Sequence, residues 1–111
     1  MNLQAQQHGT VTVLRPRGPL AGQDAADFRG QVERELQAKG GRVVLDFSEV
    51  PYLDSAGIEA LLDLCVDRAG MPSPRLAKLA ETCREALDLT RTLPLLEVFD
   101  TVENAVRSLK R

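Results

Sequence analysis

Tryptophan is absent from the 111-residue chain, histidine occurs once, cysteine twice, and aromatic residues make up only 4%. Each scarcity excludes something. A single histidine, His8, cannot build a histidine-based metal cluster. Cys65 and Cys83 form no C-x-x-C pair, and both fall on apolar faces of predicted helices, so they read as buried free thiols. No apolar run approaches the roughly 20 residues that span a bilayer. The opening Met-Asn-Leu-Gln-Ala-Gln-Gln-His is polar and has no apolar signal core. A cytoplasmic protein without membrane insertion is the expectation. An excess of basic residues is also missing: 14 Lys and Arg face 16 Asp and Glu, a net charge of −2. That balance excludes a basic nucleic-acid footprint.

What remains is an ordinary globular composition, 43% hydrophobic and 27% charged. Residues 1–111 fit one domain, long enough for a core that needs no metal or disulfide staple. Leu3 to Gln7 alternates weakly as a first strand, and His8-Gly9 reads as a turn. Thr10 to Arg15 is a second strand, ended by Pro16, Gly18 and Pro19. Ala25, Phe28, Val32 and Leu36 then define one helical face, which Gly40-Gly41 stops. Arg42 to Phe47, "RVVLDF", is nearly continuous in apolar residues, the pattern of a strand buried on both faces.

Ile58, Leu61, Leu62 and Cys65 keep helical spacing, and Gly70, Pro72, Ser73 and Pro74 form a loop. Leu76 to Ala80 is a weak strand. Thr82 and Glu85 form a capping box ahead of Cys83, Ala86, Leu87 and Thr90. Pro94 breaks that helix, Leu95 to Phe99 is a strand, and Asp100 with Glu103 opens a last helix through Val102, Ala105, Val106 and Leu109. The order is ββαβαβαβα. It predicts an α/β fold with a mixed, mostly parallel sheet flanked by about four helices, the first hairpin adding an antiparallel edge.

Little enzymatic chemistry is legible. A serine nucleophile needs an oriented base, and His8 sits in the predicted first hairpin. G-x-S-x-G, the phosphate-binding P-loop and G-x-G-x-x-G are absent. Glu33, Glu35, Asp63 and Asp67 lie on helix surfaces, where charge usually forms a solvated face. No enzyme activity and no cofactor are expected.

Asp54-Ser55-Ala56-Gly57 stands apart. It joins an apolar strand to an apolar helix, at the strand edge where sites gather in parallel sheets. Asp54 or Ser55 would cap the helix. A cap alone explains neither Asp and Ser together nor Gly57, since glycine weakens a helix start. Glycine lets something approach the backbone closely.

"VVLDFSEVPYLDSAGIEALLDL" resembles the central motif of the STAS domain (sulfate transporter and anti-sigma factor antagonist), an apolar strand followed by D-S-[ST]-G-[LI]-G and an apolar helix. Val11 to Gly18 is similar to the family's second strand, and "LAETCREALDLTRTLPLLEVFDTVENAV" to its last helices and strand. The resemblance implies a mixed sheet flanked by helices. It also implies partner switching by a stand-alone anti-sigma factor antagonist. The partners implied are a GHKL-type anti-sigma factor serine kinase, which phosphorylates Ser55, and a serine phosphatase. Docking would involve Asp54, Ser55, Ala56, Gly57, Ile58, Glu59 and Ala21, in a monomer or weak dimer. Four positions depart from the family pattern: Ala56 replaces a second hydroxyl, Glu59 a second glycine, Ala21 a common acidic residue and Arg91 a late glycine. In the resemblance all four fall at or near the partner-facing edge. Glu59 and Ala21 favour an alternative, an unphosphorylated adaptor or structural subunit of a transporter or signalling complex.

Overall fold

The computed structural model describes residues 1–110. Five strands form one sheet in the order β1 (Asn2–His8), β2 (Val11–Arg17), β3 (Val43–Asp46), β4 (Arg75–Ala77) and β5 (Glu97–Phe99). β1 and β2 are antiparallel around a Gly9-Thr10 turn; every other pairing is parallel. The ββαβαβαβα order, the mixed sheet and the antiparallel first hairpin therefore stand as expected.

Helices α1 (Gly22–Ala38), α2 (Ser55–Cys65) and α3 (Glu81–Leu89) cover one sheet face, and α4 (Val102–Leu109) packs on the other. The alternation of β3 divides its side chains between two cores. Val43, Leu45 and Phe47 face α1 to α3, while Val44 faces α4 with Val11, Val13, Ala77, Ala105, Val106 and Leu109. Phe28 of α1 meets Phe47 edge-to-face, ring centroids 6.1 Å apart. Cys65 and Cys83 are buried free thiols, as predicted, and burial pushes the Cys65 thiol up to about 12.

Several local expectations are corrected. β2 does not end at Pro16 but runs through it to Arg17. The ladder to β3 already stops at Leu14–Leu45, so a residue without an N–H is accommodated. α2 buries Gly57, Ala60, Leu61, Leu64 and Cys65, whereas Ile58 and Leu62 are only half-buried. The helix is rotated toward its small residues, which let it approach its neighbours closely. Thr82 makes no capping box. α3 starts at Glu81, and the Thr82 hydroxyl donates to the Pro51 carbonyl instead. β4 ends at Ala77 because Lys78 turns into the left-handed region at φ 60°. Leu93–Leu95 forms a short 3-10 turn around Pro94, which delays β5 to Glu97. The cap of α4 is Thr101, whose hydroxyl accepts the Asn104 amide at 3.1 Å, rather than Asp100.

Glu33 is not a merely solvated charge. Arg68 donates to both its oxygens, at 2.9 and 3.1 Å, tying the loop after α2 to α1. The Arg68 hydrogen bonds first, and Gln37 second, hold the Glu33 carboxyl below the usual carboxylate range. A depressed carboxyl contributes stability above its ordinary range and loses it as pH falls. Glu33→Gln is expected to cost about 0.5–1 kcal/mol at neutral pH. Urea melts at pH 7 and pH 3 check this: the difference from wild type shrinks at the lower pH.

Arg91 lies at the end of α3 away from the Pro51 contact, so it does not belong to the edge carrying Ser55. Its amide bonds to Asp88 at 3.0 Å, and the Thr92 amide reaches back to Leu87 at 2.8 Å. This is a Schellman closure with Arg91 at φ 59°, the position where glycine is favoured. Replacing it removes left-handed strain of about 1–2 kcal/mol per residue, partly offset by glycine's looser unfolded chain. Arg91→Gly is expected to raise stability by about 0.5–1 kcal/mol, measured by chemical denaturation.

Candidate functional site

Beyond the ends of β2 and β3 the two chains continue side by side. The Gly18 amide donates to Glu49, Leu20 donates to Tyr52, and Asp54 donates back to the Leu20 carbonyl. Leu20 and Leu53 form an isolated parallel bridge, both side chains buried. On the other side, Thr82 and Cys83 of α3 donate to the carbonyls of Pro51 and Val50. The segment entering α2 is therefore held from both flanks.

Asp54 is the N-cap of α2, with Ser55 the first helical residue. This settles which of the two residues caps the helix. One carboxylate oxygen accepts the Gly57 amide at 3.0 Å; the other accepts the Gly22 amide at 3.1 Å. Gly22 opens α1, whose own N-cap, Ala21, has no side-chain bond to offer. A single side chain thus satisfies an orphan donor in the first turn of each helix. These bonds, Gly57 first, hold the Asp54 carboxyl below its ordinary range.

Gly57 is buried, and a Cβ built there would lie 2.2 Å from the Leu20 carbonyl oxygen and 3.0 Å from Leu53 Cβ. The close approach anticipated for this glycine is made by the backbone of residue 20. Ala56 and Ile58 are half-buried against the core. Asp54, Gly57, Ala56 and Ile58 each have a structural role. Ser55 does not: it is exposed, and its hydroxyl makes no hydrogen bond with the described residues. Glu59 is exposed one turn further along α2, and Ala21 is half-buried beside Gly22. The fold thus brings all seven predicted residues to one edge of the sheet.

Tyr52, 48% exposed, lies on the same edge and is not among the residues expected from the sequence. An aromatic two residues before the Asp54 cap was the available signal. His8 pairs with Val11, at the opposite end of β2 from Leu20. No group of three or more His, Cys, Asp or Glu among the described residues could hold a metal ion. No helix of the described residues is long and apolar enough to cross a membrane.

Residues 2–105 match the family model of the STAS domain, and the chain belongs to that family. Solved structures share its fold. A Thermotoga maritima protein described as a candidate anti-sigma factor antagonist is 22% identical, with TM-score 0.86, covering 98% of this chain and 95% of that one. The anti-sigma factor antagonist SpoIIAA in its unphosphorylated form is 17% identical, with TM-score 0.73, over 97% and 96% of the two chains. The phosphorylated form, from Bacillus, gives TM-score 0.69 at 17% identity, over 98% and 100%. The murine anion transporter Slc26a9 matches at 22% identity and TM-score 0.73, covering 94% of this chain but 18% of the transporter.

Two glycines test the packing in opposite directions. Gly57→Ala is expected to destabilise by about 2–3 kcal/mol, the scale of an overpacked core, because the obstructing atom is backbone. Gly30, inside α1, would place its Cβ only against Arg34 Nη1 at 3.7 Å. Gly30→Ala is therefore expected to stabilise by about 0.5–1 kcal/mol. Denaturant melts of both variants measure the contrast. For Asp54, Asn keeps a single acceptor oxygen and Ala keeps none, so thermal stability at neutral pH is expected to fall in the order Asp, Asn, Ala. An Asn variant as stable as wild type would contradict the two-helix role.

Proposed function

We propose that this chain is an anti-sigma factor antagonist that works by partner switching in transcription control, with Ser55 as the phosphorylated residue. The reading is carried by one observation: Ser55 is exposed at the first helical position, and its hydroxyl is unused while its neighbours have structural roles. The unphosphorylated protein docks an anti-sigma factor that is also a GHKL-type serine kinase. That kinase phosphorylates Ser55, and a serine phosphatase resets the cycle. Asp54, Ser55, Ala56, Ile58, Glu59 and Ala21 line the docking edge, and buried Gly57 sets its shape. Family membership supports the reading, as does the likeness to an antagonist solved in phosphorylated and unphosphorylated forms.

A phosphoserine adds about −1.5 to −2 charges. A helix N-terminus tolerates an anion, so the domain stays folded. Within a docked interface the same charge sits beside Asp54 and one turn from Glu59. Burying it unpaired costs several kcal/mol, enough to abolish a typical complex.

The test is incubation with the GHKL-type kinase encoded nearest the gene, with ATP, read by intact mass. A gain of one phosphate is expected in wild type and none in Ser55→Ala. Equal gain in both variants, or none in wild type, defeats the assignment. Ser55→Asp is expected to keep its circular dichroism and lose kinase binding in a pull-down; unchanged binding contradicts the charge mechanism. Exposed Glu59, a fixed anion on the docking edge, favours the second reading, an unphosphorylated adaptor of a transporter or signalling complex. That reading gains if wild type takes no phosphate.

A further inference from the structure

The sheet treats its two outer strands differently. β5 has three residues, begins at exposed Glu97 and follows the 3-10 turn at Pro94. Shortness, charge and proline are devices that stop an outer strand from recruiting another. β1 carries none of them. It is seven residues long, Asn-Leu-Gln-Ala-Gln-Gln-His, with neither an acidic or basic Asp, Glu, Lys or Arg residue nor a proline. Its pairing with β2 runs without a bulge from Asn2–Arg17 to His8–Val11. In the sheet its only neighbour is β2, which leaves its outer backbone N–H and C=O groups unpaired within the sheet.

The side chains leave that rim accessible. Gln4 accepts from Arg15, and Gln7 accepts from Thr12 and donates to the Gly9 carbonyl, so these amides are engaged within their own hairpin. The sheet face beside β1 is concave as well. A depression of about 450 Å³ there is lined by Gln4, Ala5, Gln6, Val13, Arg15 and Asp46.

We propose that β1 is a self-association edge, pairing antiparallel with β1 of a second copy about a two-fold axis through Ala5. That register is the one in which all seven residues pair. It sets Gln4 against the partner copy's Gln6, Leu3 against Gln7 and Asn2 against His8. No carboxylate or Lys/Arg cation faces a like charge, the condition under which cross-strand pairs are favourable. A second copy is the occupant that fits, because the strand is neutral and matches itself on reversal. The antiparallel arrangement closes as a two-fold dimer and does not propagate. One strand pair buries well under the roughly 1,600 Å² of a standard interface, so the dimer is weak and concentration-dependent. β1 shares no residue with the Asp54–Glu59 edge, and the proposal does not rest on the function proposed above.

The test is sedimentation velocity over a concentration series on the whole chain. Wild type is expected to pass from monomer to dimer. Gln4→Lys/Gln6→Lys places cations opposite one another, and Gln4→Glu/Gln6→Glu does the same with anions. Each is expected to stay folded by circular dichroism and to weaken association at least about tenfold. An equimolar mixture of the two is expected to recover the dimer, which a merely destabilised hairpin would not do. Wild type monomeric to its solubility limit, a dimer unmoved by the lysines, or a mixture that stays monomeric overturns the proposal.

Discussion

The Asp54 carboxylate holds the amide of Gly57 with one oxygen and that of Gly22 with the other. Much of the edge depends on that fork. α1 begins after Ala21, which has no side-chain acceptor, so its first turn takes a partner from a residue 32 positions away. α2 begins at the same carboxylate. The two helices that cover β2 and β3 are thereby started from a common point.

Gly57 completes the arrangement from the other side. The Leu20 carbonyl approaches so closely that even a methyl group would collide with backbone. That carbonyl also accepts the Asp54 amide. A chain built this way can change the chemistry of Ser55 without changing its backbone, because Asp54 and Gly57, rather than the serine hydroxyl, hold the helix start. Under the proposed phosphorylation, this separation of the Ser55 hydroxyl from the atoms that hold the helix would let an interface change while the fold stays intact.

The fold was legible because its signals were periodic. The apolar spacing of α1 and the continuous run of β3 survive into the structure as buried side chains. The Gly40-Gly41 stop of α1 and the capping role of Asp54 on α2 were legible; the starts of α1 and α3 were not, because they depend on partners distant in sequence. Thr82 spends its hydroxyl on Pro51 instead of capping its own helix, and α1 borrows its cap from Asp54. Of the expected α2 face, Leu61 and Cys65 are buried, but apolar size does not reveal that close packing turns Gly57 and Ala60 inward in place of Ile58 and Leu62. At the site, the DSAG residues were evident, but the division of labour among them required the contacts of Leu20 and Gly22. Arg91 shows the limit of a motif comparison: its departure from glycine lies in a helix-terminating turn, not on the edge that carries Ser55.

The central claim is that one carboxylate joins the starts of two helices and fixes the frame around Ser55. Backbone amide resonances of Gly22 and Gly57, followed by heteronuclear NMR as pH is lowered, test it most directly. Because both amides donate to Asp54, and those bonds hold its carboxyl below the ordinary range, both glycines are expected to titrate together with one shared midpoint on the acid side of an ordinary aspartate. Separate midpoints, or a Gly22 resonance that does not respond when Gly57 does, would contradict the account.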